Sequence, residues 1–82
     1  MKKVYRTSGT CAAAIEIDIE DGVINGVNFV GGCDGNLKGI SSLVKNMRAE
    51  EAITRLKGIT CGRKSTSCPD QLALALEAIL GE

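Results

Sequence analysis

Apolar and polar residues alternate with a period of two early in the chain. Within residues 12–19 one face is entirely apolar and consists of Ala13, Ile15, Ile17 and Ile19. The opposite face carries Glu16 and Asp18, so the alternation predicts a half-buried β-strand. Residues 3–7 predict a short edge strand before it. We expect the strand that returns after it to end near Val30.

The Asp21-Gly22 pair between the two long strands is a hairpin signal. A two-residue turn would place Glu20 opposite Val23 and set charged residues against apolar ones along the ladder. A three-residue loop over residues 20–22 keeps one face apolar, with Asn25 as the one misfit. We therefore expect this longer loop, because strand register follows the apolar face. The expected pairs are Ile19 with Val23, Ile15 with Val27 and Ala13 with Phe29.

After the strands the apolar spacing becomes helical. One expected stripe consists of Leu37, Ile40, Leu43, Val44 and Met47. Helices are expected near residues 36–47, 49–57 and 68–80. In the last of these, Ser67 can cap the N-terminus, Asp70 can complete a capping box and Pro69 suits the first turn. Strands followed by helices predict an α+β fold, with a three-stranded antiparallel sheet and three helices packed on one face.

Length and charge limit the classes of function. A chain of 82 residues predicts one domain, residues 1–82, with a small core. Ten basic and ten acidic residues give no net charge, which argues against a nucleic-acid partner. Histidine is absent, which removes the commonest general base. No secretory signal or membrane-length apolar span is visible, so we expect a cytoplasmic protein that does not contact a membrane.

The four cysteines are the candidate functional residues. In a cytoplasmic protein, cysteines more often serve metal or redox chemistry than structural disulfides. Cys68 opens the last predicted helix and Cys33 precedes the first, and the positive end of a helix stabilises a thiolate. The expected hairpin register places position 11 opposite position 31, so Cys11 is expected near Cys33. Zinc and iron–sulfur centres typically take four thiolates. The predicted metal ligands are Cys11, Cys33, Cys61 and Cys68, with zinc favoured over iron or an iron–sulfur cluster.

Two other interpretations of the cysteines stay open, because their spacings match no standard zinc template. Cys61 and Cys68 could form a thiol–disulfide pair, with the charges of Arg63 and Lys64 easing thiolate formation. All four could instead be small apolar core residues. No side chains suggest a stand-alone catalytic centre, and the sequence leaves open whether the protein is part of an enzyme.

Residues 61–73 carry the most specific motif of the chain, centred on Thr66-Ser67-Cys68-Pro69-Asp70. This motif resembles the signature of the TSCPD domain, which is named after it, and the resemblance covers nearly the whole chain. The domain occurs near the C-terminus of some ribonucleotide reductases, notably vitamin-B12-dependent ones, and in small stand-alone four-cysteine proteins. The resemblance implies a ribonucleotide reductase as partner and a link to DNA synthesis. It also implies an alternative, a reductase-related component that relays reducing equivalents through Cys61 and Cys68.

The order of elements is more distantly similar to the iron–sulfur cluster scaffold family. In that family three cysteines converge on a metal, and Cys11, Cys33 and Cys68 match their places. Ala13 stands where the scaffold has an aspartate, and Ser67 stands where it has a histidine. These differences disfavour assembly of a labile cluster. The resemblance implies that Cys61 replaces the histidine and makes the site all-thiolate.

Overall fold

The computed structural model describes residues 1–7, 9, 12–32, 34–60 and 62–81, without the side chain of Asp34. Cys11, Cys33 and Cys61 therefore lie outside the described residues. Three strands are followed by three helices: β1 Lys2–Arg6, β2 Ala12–Glu20, β3 Val23–Gly31, α1 Asp34–Val44, α2 Ala49–Leu56 and α3 Cys68–Leu80. The strands form one antiparallel sheet in the order β1-β2-β3. The predicted α+β fold is confirmed.

The inner face of the central strand β2 is the base of the core. Its Ile15, Ile17 and Ile19 are at most 4% exposed. They belong to one buried cluster to which all three helices contribute, its other members being Ile24, Val44, Ala49, Ala52, Leu72, Ala75 and Leu76. Burying a side chain of this size contributes about 1.5–3 kcal/mol. The helices therefore cover the face that the alternation of β2 makes apolar.

The hairpin turn is shorter than expected. Asp21 and Gly22 have φ angles of 52° and 77°, which form a two-residue turn of type I′. Glu20 pairs with Val23, whereas the expected loop paired Ile19 with Val23. The expected register is therefore wrong at the turn, and the expected pairs of Ile15 with Val27 and Ala13 with Phe29 are wrong as well.

A β-bulge keeps the face apolar in spite of the short turn. Asn25 is an extra residue in β3, because Ile24 pairs with Ile19 while Gly26 already pairs with Asp18. A bulge of this kind exchanges the two faces of the strand beyond it. Val27 consequently meets Ile17, and Phe29 meets Ile15. The sequence prediction adjusted only the loop length and so missed this alternative.

A second bulge lies at the start of β2. Ala12 pairs with Gly31 and Ala14 pairs with Val30, so Ala13 is the extra residue. The bulge turns Ala12 into the protein, where it is 3% exposed, and leaves Ala13 exposed. The prediction had placed Ala13 on the apolar face and position 11 opposite Gly31. The structure corrects both, since the partner of Gly31 is Ala12.

Helix α1 ends at Val44, three residues earlier than expected. Asn46 has a φ of 69°, and its N–H donates to Ile24 O at 2.7 Å. Ile24 N–H donates in turn to Met47 O at 2.9 Å. The segment between α1 and α2 is therefore hydrogen-bonded to β3 and does not continue the helix. Leu43, expected in the apolar stripe, is 75% exposed. No described helix is long and apolar enough to span a membrane.

Candidate functional site

Cys68 is the one cysteine within the described residues. It is the first residue of α3, carries a free thiol and is 8% exposed as a residue. It belongs to a small buried cluster with Ala12 and Leu37, against which Phe29 and Ile40 pack. The start of α3 therefore lies at the end of the sheet where β2 begins and β3 ends.

The residues next to two other cysteines lie at the same end. Gly32, which precedes Cys33, has a φ of 83°. A Cβ atom added there would lie 3.2 Å from Ala12 N and 3.3 Å from Ala12 Cα. Ala12 itself follows Cys11 in the chain. Glycine at position 32 thus permits the sequence neighbours of Cys11 and Cys33 to approach each other closely.

A further glycine brings the chain before Cys11 to the chain before Cys68. Gly9 has a φ of 75°, and a Cβ atom added there would lie 3.1 Å from Thr66 Cγ2. The Thr7 hydroxyl donates a hydrogen bond to Ala12 O. Before Cys11, Gly9 thus lies against Thr66 and Thr7 is hydrogen-bonded to Ala12, the first residue of β2.

Ser67 caps α3 as predicted, and its hydroxyl also forms a hydrogen bond outside the helix. Its Oγ accepts from Asp70 N–H at 3.2 Å, which satisfies one of the unpaired donors of the first turn. The same hydroxyl donates to Ile59 O at 2.6 Å. Ser67 is 5% exposed, so both hydrogen bonds are shielded from water. The cap therefore also bonds the segment before Cys61 to the helix.

Asp70 makes contacts that the capping-box prediction missed. Its carboxylate does not return to the amide of Ser67; Oδ1 accepts from Gly58 N–H at 2.7 Å and Oδ2 accepts from the Thr66 hydroxyl at 2.5 Å. Gln71 Nε2 donates to Thr66 Oγ1 at 3.0 Å. The Thr66 hydroxyl and the Gly58 amide hold the pKa of Asp70 below its usual range. The only sequence signal was the cluster of short polar residues around Cys68, which capping already explained.

We expect Asp70→Asn to lower the free energy of unfolding by about 1.5–3 kcal/mol at about pH 7, because it weakens hydrogen bonds to a charged acceptor. The folded-state pKa lies below the unfolded-state value of about 3.9, so this contribution is complete above that value. It is lost as the pH falls through the folded-state pKa. Urea unfolding at about pH 7 and about pH 3 should therefore show the variant approaching the wild type on acidification.

The matched control for this variant is Glu77→Gln, on the same helix. Glu77 Oε2 pairs with Lys57 Nζ at 2.9 Å, but both side chains are more than one-third exposed. Loss of an exposed pair costs less than about 1 kcal/mol. A loss in the Asp70 variant no larger than that of the control would contradict a structural role for the Asp70 carboxylate.

Of the four predicted metal ligands, the structure describes Cys68. Among residues 1–7, 9, 12–32, 34–60 and 62–81, no group of three or more Cys, Asp or Glu side chains is placed to hold a metal ion. Cys11, Cys33 and Cys61 lie outside that set, so the four-cysteine site and the Cys61–Cys68 pair both stay predictions. Arg63 and Lys64 are exposed.

The comparisons with known proteins bear on the family. A profile of the TSCPD domain matches residues 2–80. No curated protein and no solved structure matches the chain. The match includes all six elements of the fold, the buried Cys68 and the hydrogen-bonded motif around it. The chain therefore belongs to the TSCPD domain family.

Proposed function

We propose that this TSCPD domain is a small metal-binding accessory module in which Cys11, Cys33, Cys61 and Cys68 hold one zinc ion. One observation carries the proposal, namely the meeting of Ala12, Gly32 and Cys68 at one end of the sheet. Ala12 and Gly32 are the immediate sequence neighbours of Cys11 and Cys33. A Cα atom lies about 3.8 Å from the next one along the chain, so each of these two cysteines is one Cα step from a residue that belongs to this meeting point.

The role of Cys61 as fourth ligand is supported by hydrogen bonds between the chain that precedes it and the start of α3. Ile59 and Gly58 are hydrogen-bonded to Ser67 and Asp70 on α3. These bonds bring the chain to the start of α3 within two residues of Cys61. The segment leading to Cys61 is therefore held on the same helix end that carries Cys68.

The donor chemistry also fits zinc. Four thiolates without histidine or an open position are typical of structural zinc sites, which are closed and tetrahedral. Cys68 lies among apolar side chains, and the N-terminus of α3 favours the negative charge of a thiolate ligand. Such a site contributes folding free energy, and no step of catalysis is assigned to it.

The alternative function, a thiol–disulfide relay through Cys61 and Cys68, has less support. A relay needs a thiol that a partner can reach. Cys68 is 8% exposed and packs in an apolar cluster, which disfavours attack by an external disulfide. Association with a ribonucleotide reductase depends on the family resemblance alone and stays a prediction.

The test is metal analysis of protein purified without added metal. We expect one zinc ion per chain by native mass spectrometry and elemental analysis. Cobalt replacement should give intense thiolate-to-cobalt charge-transfer absorption. Cys68→Ser should lose the ion or bind it far more weakly. Ala12→Ser is the matched control, since it changes another small residue in the same buried cluster and keeps all four thiols.

Two results would count against the proposal. Fully folded protein that stays metal-free in zinc-containing buffer would contradict it directly. Equal loss of metal in Cys68→Ser and Ala12→Ser would show that metal binding depends on the packing of the cluster and not on the Cys68 thiol. Four-cysteine protein that is isolated without zinc and already carries a Cys61–Cys68 disulfide would favour the relay.

A further inference from the structure

We propose that Thr66, Ser67 and Asp70 are positioning residues that set Cys61 relative to Cys68. We call these three residues, with Gly58 and Ile59, the α3 clamp. What the two thiols do together rests on the proposed function. The clamp itself is formed by the chain's own hydrogen bonds.

In the clamp, two different side chains form hydrogen bonds with the backbone of two consecutive residues. Gly58 N–H donates to Asp70 Oδ1 at 2.7 Å, and Ile59 O accepts from Ser67 Oγ at 2.6 Å. Bonds to an N–H and to the next C=O hold both the position and the direction of the segment. Asp70 and Ser67 are 8% and 5% exposed, so water does not compete freely for these bonds. The segment before Cys61 is thus fixed against the helix that starts with Cys68.

Thr66 fixes the other end of the same connection. Its hydroxyl donates to Asp70 Oδ2 at 2.5 Å and accepts from Gln71 Nε2 at 3.0 Å. Helix α2 ends at Leu56, so the connection to α3 is bonded at Gly58 and Ile59 on one side and at Thr66 on the other. Six residues, 60–65, separate these two bonded ends in the sequence, and Cys61 is one of them. A short closed loop has few conformations, which favours a preorganised pair of thiols.

Helix capping alone does not require this arrangement. A capping serine needs only to accept from the first turn, and a capping-box residue needs only to return to the cap amide. Here the Ser67 hydroxyl and both Asp70 carboxylate oxygens also bond residues 58, 59 and 66. Ser67 and Asp70 therefore direct hydrogen bonds to residues that precede and follow Cys61 in the chain. This assigns the polar residues of the motif a role distinct from metal ligation.

The test measures how readily Cys61 and Cys68 meet in the absence of metal. In a Cys11→Ser/Cys33→Ser chain, glutathione disulfide oxidises the remaining two thiols. One S–S bond forms between Cys61 and Cys68, and the two electrons and two protons pass to two glutathione molecules. The equilibrium gives the effective concentration of one thiol at the other. Adding Asp70→Asn or Thr66→Val should lower it by about tenfold or more.

The controls separate clamping from general stability. Thr66→Ser keeps the hydroxyl, and Glu77→Gln changes a carboxylate of α3 that contacts Lys57 outside the clamp. Both are expected to match the parent. A second measurement uses the four-cysteine chain and compares zinc affinity by chelator competition in the same variants. The expected order is the same: Asp70→Asn and Thr66→Val bind at least about tenfold more weakly, whereas the controls do not.

Each outcome bears on one proposal or the other. Equal effective concentrations in all variants would overturn the clamp, whether or not metal binds. Loss of effective concentration in Thr66→Val with restoration in Thr66→Ser would support it. A wild-type chain that binds no metal would refute the proposed zinc site and leave the clamp to be judged by the disulfide equilibrium. If the double-serine chain does not fold, the zinc affinities of the four-cysteine variants decide.

Discussion

Replacing Leu72 by alanine is expected to lower the free energy of unfolding by about 2–5 kcal/mol. Leu72 is fully buried and lies in the main cluster with Ile15 and Ile17 from the sheet. The truncation removes apolar contacts and leaves a cavity that the surrounding isoleucines cannot fill without moving. A domain of this size has a total stability of roughly 4–12 kcal/mol, so one substitution can remove a large share of it.

Thermal unfolding followed by circular dichroism checks this result, with an expected fall in Tm of roughly 10–40 °C. Leu43→Ala is the matched control. It makes the same chemical change at a residue that is 75% exposed, and it should alter stability by no more than about 0.5 kcal/mol. Equal losses at the two positions would contradict the packing described for α1 and α3.

Gly32→Ala is expected to cost about 2–5 kcal/mol, for two separate reasons. The φ of 83° lies in the left-handed region, which disfavours any residue with a Cβ atom. The added Cβ would also lie 3.2 Å from Ala12 N and 2.8 Å from Leu37 Cδ1. The leucine side chain can rotate away, but the backbone of Ala12 is held in β2. The variant therefore tests the close approach of the two chain segments that carry Cys11 and Cys33.

Urea unfolding measures this cost, and Gly26→Ala is its control. Gly26 lies in β3 without a positive φ, and a Cβ atom added there meets no heavy atom within 4 Å. Alanine at that position should be neutral or should stabilise by up to about 1 kcal/mol. A Gly32 variant as stable as the Gly26 variant would contradict the close approach of Gly32 to Ala12.

Much of the fold could be predicted from local pattern. Helix α3 spans Cys68–Leu80, the predicted range, and Ser67 caps it. The alternation over residues 12–19 identified β2 and its buried isoleucines. These features depend on residues within a few positions of one another, so spacing and capping chemistry are sufficient to predict them.

Register and exposure could not be predicted in the same way. The two bulges at Ala13 and Asn25 each exchange the faces of a strand, and nothing in the local pattern selects a bulge over a longer loop. Leu43 follows the helical stripe of α1 but is 75% exposed. Helix α1 ends before Met47, and the following segment is hydrogen-bonded to Ile24 of β3. These outcomes depend on contacts between distant segments.

At the candidate site, too, the local features were predictable from the sequence and the contacts between distant segments were not. The four cysteines and the motif around Cys68 were recognisable in the sequence, and the family they indicate is confirmed. The hydrogen bonds from Asp70 to Gly58 and Thr66 were not, because a carboxylate three residues after a cap suggests a capping box whatever lies opposite it.

By itself, then, the sequence determined the type and order of the elements, the start of α3 and the family, since all of these are properties of neighbouring residues. Only the tertiary structure decided the register of the hairpin, the two hydrogen-bond partners of the Asp70 carboxylate and the meeting of Gly32 with Ala12. Each of those depends on which segments come together in space, and a linear pattern does not contain that information.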